Sequence, residues 1–151
     1  MGKFGRLVLL SVILSAFVVG SNVIAADASS VSVIANKDIG ISSVKATDLK
    51  DVFLGKKTKV GGVKVVIVLL KKGEANDTFL KTYIGKTAKQ FSSYWKKLVF
   101  SGKSRMPKTF KTDKAVAEYV ASKKNTIAYI ATSSAQDAGI KDSIKVLTVE
   151  K

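Results

Sequence analysis

The chain has 151 residues, 46% of them hydrophobic, which is enough to bury one core and too few for two ordinary domains. It holds no cysteine and no histidine, which excludes disulfides, thiol or histidine catalysis and the usual zinc sites. Its 26 basic and 11 acidic residues give a net charge of +15, so its natural partners are anions: small oxyanions, nucleic acid, or acidic membrane and cell-wall surfaces.

The N-terminus differs in kind from the rest. Lys3 and Arg6 precede the apolar run of residues 7–20, and NVIAADA, residues 22–28, supplies small residues for cleavage. This order predicts a secretory signal peptide over residues 1–25, cut after Ala25, with a cut after Ala28 as the alternative. A retained anchor is the other reading, since residues 7–26 carry no charge and could nearly span a bilayer. The predicted domain is then residues 26–151, exported to the periplasm, and losing Lys3 and Arg6 leaves 15 − 2 = +13.

VSVIA, residues 31–35, reads as a strand, followed by a loop through Ser42 and Ser43. TDLKDVFLG, residues 47–55, reads as a helix capped by Thr47, with Asp48 and Asp51 near its positive end and Gly55 at its exit. VKVVIVLL, residues 63–70, is nearly all apolar and predicts a central strand covered on both faces. LKKGEAN leads into a helix over residues 77–85, with Phe79, Leu80, Tyr83 and Ile84 on one face.

Thr87 and Gln90 form a capping box for a helix over residues 87–102. Its stripe of Phe91, Tyr94, Trp95, Leu98 and Val99 follows the buried phase, so it reads as core rather than as a base-stacking platform. After a basic loop, residues 101–110, come a helix at 112–124, a strand at 125–131, a polar connection and a last strand at 144–149. Strands alternating with helices predict one α/β layer structure.

Four segments in this order carry a resemblance: LKDVFLGK from Leu49, VKVVIVLL leading into DTFL, YWKKLVFSGKSRMP from Tyr94, and NTIAYI from Asn125. Together they resemble the small single-domain relatives of phosphate-binding proteins of ABC transporters. The resemblance implies a type 2 periplasmic-binding-protein fold cut down to a single lobe, with a central mixed sheet flanked by helices. Two lobes close over the ligand in full-length relatives, and this chain is too short for that.

The family's phosphate loop runs Arg-Ser-x-Gly-Ser-Gly-Thr-Thr. By this resemblance Lys71 stands at the arginine, Lys72 at the serine, Asn76 within the glycine stretch and Thr78 at the last threonine. Helix N–H groups and the two lysines favour an anion here, whereas Glu74, Asp77 and the lost glycines oppose a dehydrated one. A second candidate is the turn Ser101, Gly102, Lys103, Ser104 and Arg105, where the guanidinium fork matches phosphate or sulfate. The lysines elsewhere read as solvated faces, and no nucleic-acid-binding signature accompanies them.

The leading expectation is an exported, non-enzymatic solute-binding module that takes an oxyanion and works with a membrane permease or envelope protein, without cofactor or metal. The competing expectation is an adaptor that docks on an envelope assembly or acidic surface.

Overall fold

The computed structural model describes residues 30–137 and 139–151. The segment read as a signal peptide lies outside the described residues. β1 (Val31–Asn36), β5 (Val66–Leu70), β6 (Lys108–Phe110), β7 (Thr126–Ala131) and β8 (Ile144–Val146) form a five-stranded sheet in the order β6-β5-β7-β1-β8. β5 runs parallel to β6 and β7, and β1 runs antiparallel to β7 and β8, so the sheet is mixed. The apolar run of residues 63–70 explains its position: Val68, Leu69 and Leu70 are buried between two neighbours, as a strand with both faces covered requires.

That run is nevertheless broken. β4 (Val63–Lys64) turns back on β3 (Lys59–Val60) through Gly61 and Gly62, both at positive φ, and the main strand starts only at Val66. The predicted last strand is likewise split at the buried Leu147. β8 pairs with β1, whereas β9 (Thr148–Glu150) pairs in parallel with β2 (Ser43–Lys45), a strand that the loop-like composition of residues 36–46 concealed.

α1 (Ala46–Phe53) begins one residue before Thr47, so Thr47 is not its cap. The cap position is Lys45, with no side-chain hydrogen bond. Asp48 and Asp51 instead hold Lys57 at 2.7 and 3.2 Å, which raises the lysine's pKa. Gly55 ends the helix at φ 68, where a Cβ would meet the Trp95 ring at 3.1 Å. α2 (Glu74–Phe79) starts earlier than predicted and passes into a π-helical turn, Leu80–Ile84, which Gly85 stops at φ 72. α3 (Ala88–Phe100) has the predicted capping box, with both Thr87–Gln90 hydrogen bonds formed.

α4 (Asp113–Ser122) is capped by Thr112, and the short α5 (Thr132–Ala135) lies in the stretch read as a polar connection. The core runs on both sides of the sheet and is dense in aromatics. Tyr129 stacks on Phe79 with ring centroids 3.8 Å apart, and Phe53 meets Phe79 edge-on at 4.8 Å. Phe91 and Trp95 are buried and Tyr94 and Leu98 half-buried, as the aromatic stripe predicts, whereas Val99, at the edge of that stripe, is exposed. Trp95 donates to the carbonyl of Phe53 and Tyr94 to that of Leu54, so α3 satisfies the open end of α1. Asn36 does the same for α4, donating to the carbonyls of Val120 and Ala121 from a buried position. No described helix is long and apolar enough to cross a membrane.

Candidate functional site

β5 and β6 are parallel neighbours, so the residues that follow them, Lys71 and Lys111, emerge at the same edge of the sheet. A cleft of about 450 Å³ opens there. Leu69, Leu70, Leu80 and Phe91 form its apolar floor, and its polar lining is Lys71, Asn76, Ser92, Thr109 and Lys111. Among the described residues no carboxylate lines it. In open α/β sheets, ligands enter the crevice outside the carboxyl ends of the strands, which is where this cleft lies.

Asn76 is fixed from below. It is 4% exposed, and its Oδ1 accepts a hydrogen bond from the Tyr129 hydroxyl at 2.8 Å. Burial pushes the Tyr129 phenol well above its ordinary pKa, and the nearby Asp77 charge adds to this, while a backbone hydrogen bond at Leu70 opposes it. The hydroxyl therefore keeps its proton and remains a donor. One Asn76 Nδ2 hydrogen goes to the Asp77 carboxylate at 3.3 Å. The amide has two such hydrogens, so one is left to serve the cleft. Asp77 faces the neighbouring hollow between Lys81 and Gln90, yet its charge stands close enough to weaken an anion beside Asn76.

The two sequence-predicted loops do not share a concavity. Lys71 and Asn76 line the cleft at the carboxyl ends, whereas Ser104 and Arg105 line a separate groove of about 320 Å³ at the amino end of β5, with Gly55, Lys57, Thr58, Val66 and Trp95. Met106 touches both. Lys72, Thr78, Ser101, Gly102 and Lys103 line neither.

The Ser101–Lys103 turn closes α3. Gly102, at φ 69, donates to the carbonyl of Val99, and Lys103 donates to that of Leu98, which also accepts from the Ser101 hydroxyl. This is a Schellman closure. Its amides are engaged, and the negative pole of the helix lies there, so its backbone opposes an anion.

Ser92 and Lys111 were not singled out from the sequence, and Thr109 was placed only in the basic loop of residues 101–110. Thr109 lies in β6 and Lys111 directly follows it; β6 is a three-residue strand inside what reads as a basic loop, and its register beside Leu69 and Leu70 becomes visible only in the sheet.

No family model and no curated protein matches the chain. Solved structures do. PstS from Borrelia burgdorferi superposes with a TM-score of 0.60 at 15% identity, covering 80% of this chain and 47% of that one. The chain has the fold of the phosphate ABC transporter substrate-binding proteins. A substrate-binding protein of this kind from Clostridium perfringens, solved with bound phosphate, gives a TM-score of 0.57 at 20% identity over 79% of this chain and 44% of its own. An ABC-type phosphate transport receptor from Vibrio cholerae gives 0.56 at 12% identity, over 80% of this chain and 46% of its own. This chain therefore spans less than half the length of each, as a single-lobe domain of that fold. At these identities the likeness is one of fold.

Proposed function

We propose that the protein is an exported, non-enzymatic solute-binding module that holds a phosphate- or sulfate-like oxyanion in the cleft at the carboxyl ends of β5 and β6, in the service of a membrane permease. The observation that carries this reading is the lining of the cleft. Two ammonium groups, two hydroxyls and one amide converge on it without a lining carboxylate. The phosphate-transport neighbours support it through their fold and through what they are named for.

The chemistry is capture. Lys71 and Lys111 supply charge as compact ammonium groups rather than as planar forks, and Ser92, Thr109 and Asn76 supply directed donors. Water stays in contact with the ion because the cleft is open among the described residues, so each charge contact is weakened by solvent. Asp77 weakens it further. The affinity expected is on the order of millimolar. Isothermal titration with phosphate and with sulfate tests this. Saturable heat that disappears in Lys71→Ala and Lys111→Ala supports the reading, and no heat at about 10 mM ligand overturns it.

A further inference from the structure

The outward side of α3 has a character that the cleft does not use. Phe91 and Trp95 fix its buried side, and at 3.6 residues per turn Lys89, Lys96 and Phe100 fall on the opposite side, with Lys97 next to them. Phe100 is 91% exposed, and Val99 and Met106, on either side of the closing turn, are 41% and 50% exposed. From Thr78 to Thr112 the sequence contains no aspartate or glutamate. The ion pairs among the described residues involve Lys57 and Lys114, so Lys96 and Lys97 have no carboxylate partner there.

We propose that this face of α3, with Phe100 at its tip, docks on an anionic lipid bilayer. Charge complementarity selects the partner class, because clustered lysines beside an exposed aromatic bind acidic headgroups while the ring enters the acyl boundary. The side-chain chemistry selects among anions. Beyond Arg6 the only arginine is Arg105, so the face offers compact ammonium charges rather than the bidentate forks that suit individual nucleic-acid phosphates. One aromatic at the end of a helix also makes no stacking row for successive bases. A second copy of the chain would bring the same positive face against itself.

The test uses the full chain carrying Phe100→Trp, with buried Trp95 as the internal baseline. Vesicles of equimolar phosphatidylglycerol and phosphatidylcholine with brominated acyl chains should quench the added emission. Vesicles of brominated phosphatidylcholine alone should quench it at least roughly tenfold less. Adding Lys96→Glu and Lys97→Glu, both exposed, should abolish the quenching, and raising the salt should reduce it. Because the readout sits at position 100, insertion of the apolar N-terminal run does not mimic it. Equal quenching by neutral and anionic vesicles overturns the proposal, and so does quenching that survives the two charge reversals. Tighter binding of a single-stranded oligonucleotide than of anionic vesicles at matched salt would assign the face to nucleic acid and also overturn it. Loss of phosphate heat would leave this proposal standing, since the face and the cleft share none of the groups tested.

Discussion

The two ends of the β5–β6 strand pair carry similar chemistry and have different capacities. At the carboxyl end stand Lys71, Lys111, Ser92 and Thr109; at the amino end stand Arg105, Lys108, Lys57, Ser104 and Thr58. By composition alone the amino end looks the better anion site, since it holds the one arginine of the described residues. The backbone reverses this ranking. The carboxyl end lies where strands run out towards free side chains, and the amino end adjoins the closed carbonyl pole of α3. In addition, Lys57 is already held by Asp48 and Asp51. Residue types propose a site, and chain direction decides whether the surrounding dipoles agree.

Mutations can break or sharpen this contrast. The largest effect is expected from Trp95→Ala, which empties the wall of the amino-end groove and removes the hydrogen bond to Phe53. It should cost about 3–5 kcal/mol in urea unfolding, with anion heat per folded molecule unchanged. Next, Lys71→Ala and Lys111→Ala should each weaken phosphate roughly tenfold by titration, and Arg105→Ala should leave it as it was. An Arg105 effect equal to that of Lys71 would erase the distinction between the ends. Gly102→Ala should lower stability by about 1 kcal/mol, because an alanine there must adopt φ 69, and should not alter the titration. The smallest effect belongs to Asp77→Asn, which should tighten phosphate by roughly threefold by removing the charge beside Asn76.

Much of the fold was legible because apolar period and capping chemistry agree locally. The Thr87–Gln90 box, the Phe91–Trp95 stripe, and Gly55 and Gly85 as helix exits all stand where the sequence places them. β2 and β6 are three-residue strands whose existence depends on a partner distant in the chain, so no local pattern announces them, and for the same reason the strand read over residues 144–149 did not show its break into β8 and β9. The capping error at Thr47 arose because a helix can begin without a side-chain cap when its neighbours hold it. For the site, Lys71 and Asn76 were readable through the resemblance. That Ser92, Thr109 and Lys111 join them was not, because α3 and the segment from β6 to Lys111 bring them there only in three dimensions.

The hydrogen bond between Tyr129 and Asn76 links the aromatic stack to the mouth of the cleft. A carboxamide is nearly the same shape with its oxygen and nitrogen exchanged, so only its bonding partners define which end faces outward. Replacing the phenol with a bare ring, as in Tyr129→Phe, would remove one of the two bonds that set that choice and leave the Asp77 carboxylate alone to hold the amide. The direction in which this amide points is thus set in part from inside the protein, by a proton on a ring buried beneath the cleft.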